Sequence, residues 1–149
     1  MDFTEYDTRL AAYAVIVDDR ERILLTWYNG KGRGEPGWTL PGGGVEYEET
    51  LEAAVVREVH EETGYVVDLD RLLATDSFTD GEGSRPRPFK SVRVIYTAHI
   101  AGGSLGTIER EGTTDRAAWI PLNDALQEDS RAEIVDVAID AWHRCVRTR

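Results

Sequence analysis

The stretch GGVEYEETLEAAVVREVHEETGY, residues 43–65, constrains this chain more than any other. Its register is Gly43, five residues, Glu49, seven residues, then Arg57-Glu58-Val59-His60-Glu61-Glu62-Thr63-Gly64-Tyr65. Residues 49–63 are rich in helix formers, Leu51, Glu52, Ala53, Ala54 and Arg57 among them, and Gly64 stands where a left-handed residue ends a helix. The spacing therefore predicts loop, helix, stop. At about 100° per residue, Leu51, Ala54 and Val55 share a face that Glu58 and Glu62 continue, with Glu61 beside them. The face that should look inward turns acidic over its last two turns.

On an arbitrary helix Glu58, Glu61 and Glu62 would read as a solvated face, because acids are ordinarily exposed. The stripe argues against that. Like charges three and four residues apart repel by a few tenths of a kcal/mol per pair, and crowding them against an apolar edge adds a desolvation cost. A hard divalent cation removes both penalties, and carboxylate oxygens suit Mg²⁺ or Mn²⁺, which also accept water and phosphate oxygens as ligands. Arg57 reads as an i+4 partner of Glu61, in a plain surface ion pair. Glycines 42–44 permit close backbone approach and positive φ, which lets a carbonyl turn toward a metal.

This register resembles the Nudix box, the signature of hydrolases that cut nucleoside diphosphates linked to another group. All seven fixed-identity positions and the first apolar one match; by chance that happens on the order of once in a billion start points. Tyr65 stands where the family usually has an aliphatic residue, a mild change because Tyr suits a strand start with its ring buried. The resemblance implies an α/β fold, an α/β/α sandwich with a mixed β-sheet between helices. It implies Glu58, Glu61 and Glu62 as ligands of Mg²⁺ or Mn²⁺, the Gly43 carbonyl and Glu49 as secondary contributors, and Arg57 as the residue that orients Glu49. Water of lowered pKa would then attack phosphorus in line. Glu111, in Arg110-Glu111-Gly112, falls where some members carry a further acidic ligand or base outside the box; an exposed loop glutamate is the alternative.

With 149 residues the chain fits one domain, residues 1–149. A formal net charge of −11 disfavours a nucleic acid polymer as partner, since that binding needs phosphates neutralised by Lys and Arg. A small nucleotide brought in by metal is compatible with it. The single cysteine, Cys145, is expected as a buried small hydrophobe on a C-terminal helix. The acidic N-terminus lacks an apolar h-region and no run approaches a membrane span, so no membrane partner, a cytoplasmic location and a monomer or homodimer are expected.

In chain order, residues 9–17 and 22–28 read as a hairpin around Asp18-Asp19-Arg20. Residues 29–36, NGKGRGEP, form a loop whose Lys31 and Arg33 meet phosphates or are simply solvated. Residues 65–69 and 71–78 read as two strands parted at Asp70, residues 90–100 as a covered central strand, and 117–122 as a short one. Asn123 is expected to cap a brief helix and Ser130 a last one over 131–147. A nucleotide also needs an aromatic or apolar surface. Trp27 and Phe89 are candidates, and the loop 79–90, with Arg85 and Arg87 between prolines, is expected to form one wall of the pocket.

For substrate, elimination among subgroups of the family leaves a nucleoside triphosphate first, giving the monophosphate and pyrophosphate. ADP-ribose or a nucleotide sugar is the alternative. A regulatory domain that binds a phosphorylated ligand without hydrolysis is a reading of another class, and the intact Arg57, Glu58, Glu61 and Glu62 favour catalysis.

Overall fold

The computed structural model describes residues 1–80 and 85–148. In order they form β1 (Asp7–Val15), β2 (Arg22–Tyr28), β3 (Gly37–Thr39), β4 (Gly42–Gly44), α1 (Leu51–Thr63), β5 (Tyr65–Thr79), β6 (Phe89–Gly103), β7 (Thr114–Pro121), α2 (Leu122–Ala125) and α3 (Glu133–Arg147). One sheet runs β4-β1-β6-β5, with β1 parallel to β6 and its other pairs antiparallel; a second runs β3-β2-β7, all antiparallel. Helix α1 covers one face, where Val55 and Val59 meet Ala12, Ala14, Val94 and Tyr96. Helix α3 covers the other, where Ile134, Val135 and Ile139 meet Val15, Ile95 and Leu25. This is the expected α/β/α sandwich.

The hairpin expected of residues 9–17 and 22–28 exists only at its corner, where Val17 bridges Ile23 and the Leu24 amide donates to the Ile16 carbonyl at 3.0 Å. Beyond it both edges of β1 are taken, one by β4 and one by β6, so β2 leaves for the second sheet. Residues 65–79 are one strand, not two: Asp70 is absorbed as a bulge between Leu69 and Arg71. Strand β6 is central and buried from Arg93 to Ala98, as its only partly amphipathic alternation implied.

Helix α1 starts two residues later than the box suggested. Thr50 is its N-cap, accepting from the Ala53 amide through its side chain, which leaves Glu49 outside the helix. The caps expected at Asn123 and Ser130 are not used. Asn123 lies inside α2, and α3 starts at Glu133 with no side-chain cap. The Ser130 carbonyl accepts from the Trp38 amide at 2.9 Å and the Ala132 amide donates back to Trp38 at 2.8 Å, which keeps the chain extended past Ser130. Cys145 is half-buried, and its sulfur meets the Arg71 guanidinium instead of apolar core. Among the described residues no helix is long and apolar enough to cross a membrane.

The C-terminal end of α1 carries the most consequence. Gly64 is left-handed, φ 81°, and its amide closes onto His60. The next three carbonyls are met by the β6–β7 connection: Glu61 by the amides of Ile108 and Glu109 at 2.9 Å each, Thr63 by the Gly106 amide at 2.8 Å, and Glu62 by the Thr107 hydroxyl at 2.8 Å. These are groups a helix end leaves unpaired, and one loop satisfies them. A Cβ on residue 64 would lie 2.3 Å from the Ser104 carbonyl oxygen and 2.6 Å from that of Gly106. Gly64→Ala is therefore expected to cost more than about 2 kcal/mol of stability, from left-handed strain plus displacement of the loop. Urea denaturation measures it, and an unchanged midpoint would refute it.

Candidate functional site

The acidic site is built where β4 passes α1. Strand β4 pairs Gly44, Gly43 and Gly42 with Ala11, Ala12 and Tyr13. Rungs on either side join Ala14 N to Pro41 O and Val45 N to Leu10 O, at 3.0 Å each. Antiparallel alternation then turns the Gly43 amide and carbonyl into the ladder, facing Ala12, and the polar groups of Gly42 and Gly44 out of it. The Gly42 amide donates to Glu62 Oε1 at 2.8 Å and the Gly44 carbonyl accepts from Arg57 Nη2 at 3.4 Å. The Gly43 carbonyl expected to turn toward a metal is thus committed to the sheet. Gly43 contributes room instead, since a Cβ there would lie 3.0 Å from the Glu58 carboxyl group.

Arg57 gathers the surrounding acids. Its Nε and Nη2 grip the two oxygens of Glu49 at 2.7 Å each, while Nη1 reaches Glu58 at 3.1 Å and Glu61 at 3.4 Å. Of the two roles read for Arg57, the fork on Glu49 is the tighter, and the i+4 contact with Glu61 is the longest of the four. Those hydrogen bonds, with the Glu46 amide at 2.9 Å, hold the Glu49 carboxyl down at about 2.

Glu62 is 5% exposed. Burial pushes its pKa up to about 8, against the pull of hydrogen bonds from Thr114 and Gly42, and the charges of Glu58 and Glu109 push the same way. Burial also raises Glu58; Arg57 opposes the rise, and Glu61 and Glu109 add to it. The site thus holds more negative charge than its one guanidinium balances, and its donors are hard oxygens, which fits a divalent cation. Among the described residues no three acids, histidines or cysteines converge closely enough to form a finished cation site. The reason is Arg57 Nη1, on which Glu58 and Glu61 both lean. Both side chains are partly exposed, and a staggered rotation off these contacts of 3.1 and 3.4 Å would free them to meet a cation beside Glu62.

Outside the helix, the acid whose charge reaches the stripe is Glu109, whereas Glu111 was the candidate read in the sequence. Glu111 is exposed, with φ 58°. Glu109 is half-buried, anchored by its amide on the Glu61 carbonyl at 2.9 Å, and its charge acts on both Glu58 and Glu62. Thr114, whose Oγ1 donates to Glu62 Oε2 at 2.6 Å, went unread in the sequence, where nothing separates it from any other strand threonine.

The expected substrate residues are dispersed. Arg87 is ion-paired to Asp7 and donates to the Thr4 carbonyl, both at 2.9 Å, so it fastens the N-terminal turn. Arg85 pairs with Asp80 at 3.3 Å and lies 3.7 Å over the ring of Phe89, which is buried beneath it. Asp7 pairs with Phe89 and Ala12 with Gly43. Five residues of strand, about 17 Å, therefore separate this end from the acids. The central residues of that expected wall, 81–84, lie outside the described residues. Trp27 packs edge-on against Trp38 at 5.3 Å on the α3 side, under Arg116. The Arg33 loop is nearer the site: Tyr28 donates to the Arg33 carbonyl at 2.7 Å, and Asn29 binds Gly112 and Asp115 at 2.9 Å each, beside Thr114.

Comparison with known proteins places the chain in a family. The family model described as NUDIX domain matches residues 7–140. The chain is 33% identical over 91 residues to an 8-oxo-(d)GTP phosphatase of Mycolicibacterium smegmatis, covering 61% of this chain and 26% of that one. It is 34% identical over 96 residues to an ADP-ribose pyrophosphatase of Methanocaldococcus jannaschii, covering 64% and 53%. A NUDIX hydrolase structure from Nitrosomonas europaea has the same fold, with a TM-score of 0.78 at 22% identity over 93% of this chain and 90% of the other. The chain spans 26% to 53% of the length of these curated relatives.

The state of Glu62 sets a pH dependence of stability. Its folded pKa, about 8, lies above the ordinary 4.5, so the folded protein holds a proton that the unfolded chain releases. This contribution is fully present below about pH 4.5 and is lost as pH rises toward 8, a loss on the order of a few kcal/mol. Melting temperatures in EDTA should fall across that window in wild type and fall less in Glu62→Gln. Parallel curves for the two proteins would refute the assignment.

Proposed function

Because the chain belongs to the Nudix family, we propose that it is a metal-dependent pyrophosphohydrolase that cleaves a nucleoside diphosphate linked to another moiety. The observation that carries this reading is the complete acid set on one end of α1, with Glu58 and Glu62 drawn inward and Glu49 gripped by Arg57. Glu58, Glu61 and Glu62 would hold Mg²⁺ or Mn²⁺, with the outward carbonyl of Gly42 in the part first read for Gly43. When bound, such an ion neutralises pyrophosphate oxygens and lowers the pKa of a coordinated water.

The protein's own groups then have separate tasks. Arg57 balances part of the acid charge and, through its fork, holds the Glu49 carboxylate in place. Glu109 takes the role first read for Glu111, a further ligand or the acceptor of the proton that water loses. The loop 29–36 is tied to residues 112–115 through Asn29, beside Thr114, which supports Arg33 as a phosphate contact.

For substrate the reading is a nucleoside triphosphate, split to the monophosphate and pyrophosphate. The two named relatives, one acting on 8-oxo-(d)GTP and one on ADP-ribose, support this choice and its alternative about equally. A panel of nucleoside triphosphates, ADP-ribose and nucleotide sugars, assayed for phosphate and pyrophosphate release with Mg²⁺, separates them. Turnover should vanish in EDTA and return with Mg²⁺ or Mn²⁺. Glu58→Gln should lower kcat on the order of 10²-fold or more at unchanged thermal stability. Full activity in chelator, or an unaffected Glu58→Gln enzyme, would overturn the reading; ligand binding without hydrolysis across the panel would favour a regulatory domain.

A further inference from the structure

We propose that Thr114 is a positioning residue for Glu62: its hydroxyl fixes the orientation in which that carboxylate meets a divalent cation, and a bulge in β7 exists to aim it there. The proposal rests on the reading of Glu62 as part of a cation site.

The contact is short and enclosed. Glu62 is 5% and Thr114 7% exposed, so water is a poor substitute partner for either. Each carboxylate oxygen of Glu62 receives one protein donor, Oε1 from the Gly42 amide at 2.8 Å and Oε2 from Thr114 Oγ1 at 2.6 Å. A carboxylate oxygen has two lone-pair directions, so once a cation displaces the proton that Glu62 holds without metal, one on each oxygen is open to it. The two donors also come from different sheets, Gly42 on β4 and Thr114 on β7. A carboxylate held from both sides cannot rotate about its last bond without losing one of them.

The direction of Thr114 is not what strand alternation gives. Along β7, Ile120 and Ala118 face the α3 core, and Trp119 and Ala117 face the α1 core. Arg116 stacks on Trp27 and Trp38, on the α3 side. Continued alternation would send Asp115 toward α1 and Thr114 away from it. The register breaks here, with Arg116 opposite Trp27 and Thr114 opposite Tyr28, two residues of β7 against one of β2. That extra residue rephases the strand, and Thr114 points at Glu62. The bulge is held by Asn29, whose amide donates to the Thr113 carbonyl and whose side chain binds Gly112 and Asp115, at 2.9 Å each. Threonine suits the task, because its branched Cβ restricts the rotamer that carries the hydroxyl.

The test measures Mn²⁺ binding directly, by the loss of the free-ion electron paramagnetic resonance signal. Wild type, Thr114→Ser and Thr114→Val are compared, with thermal unfolding in EDTA as the control for folding. The serine variant, which keeps the hydroxyl, should bind within about twofold of wild type. The valine variant, which keeps the shape, should bind about tenfold more weakly, and the Mg²⁺ concentration for half-maximal turnover should shift in parallel. Thr114→Ala gives the same reading if the valine variant does not fold. Equal affinity in wild type and Thr114→Val overturns the proposal, as does equal weakening in serine and valine, which would assign the effect to packing. Failure of wild type to bind Mn²⁺ overturns the cation site itself and this inference with it.

Discussion

A carboxylate that is 5% exposed must be met by donors, and the way Glu62 is met organises this molecule. One donor belongs to the four-stranded sheet and one to the three-stranded sheet. Among the described residues the sheets are directly joined by backbone hydrogen bonds only at the corner between β1 and β2, and the core packed by α1 and α3 spans them. Glu62 adds a polar tie between them on the α1 side. The acid end of α1 is therefore sensitive to how the two sheets align, which a surface cluster of glutamates would not be.

The same helix end explains why an acid from a distant loop reaches the site. A helix leaves its last carbonyls unpaired, and here residues 106–109 pair three of them. Bonding Glu61 through its own amide draws Glu109 toward the acidic stripe, so one segment both closes the helix and adds a charge to its last turn. Gly64 makes this possible, because the loop passes where a Cβ would be. Capping and electrostatics are one arrangement, and a change to either disturbs the other.

What could be read in the sequence divides along the same line. Local rules carried the helix, its glycine stop and its acidic stripe, because 3.6-residue periodicity and a left-handed terminus depend on near neighbours. The only partly amphipathic alternation of β6 likewise disclosed a strand covered on both faces. Failures came where a distant partner decides. Residues 9–17 and 22–28 looked like a hairpin because nothing local reveals that β4 and β6 occupy both edges of β1. Ser130 looked like a cap until its carbonyl was claimed by Trp38. Glu109 and Glu111 are equivalent as letters, and it is the bond from the residue 109 amide to the Glu61 carbonyl that draws one of them in. The Gly43 carbonyl was misread for a similar reason: which glycine faces outward is a matter of register with β1, not of composition.

The chain also spends its cations in a way that bears on its chemistry. Against 28 acids it has 17 lysines and arginines. Arg22 is engaged by Asp18, Arg57 by Glu49, Arg87 by Asp7, Arg93 by Asp76 and Arg131 by Asp136. Arg87 and Arg93 fasten distant parts of the fold to each other, Arg93 almost wholly buried, and the others close local turns and loops. With a net charge of −11 the long-range field opposes an approaching polyphosphate. Attraction must then act at short range, from a centre of high charge density in contact with the phosphates. A divalent ion held by the glutamates of α1 would meet that requirement where a dispersed set of engaged arginines does not. The acidity that argues against a nucleic acid partner is thus the same property that makes a metal-held nucleotide the coherent reading of this site.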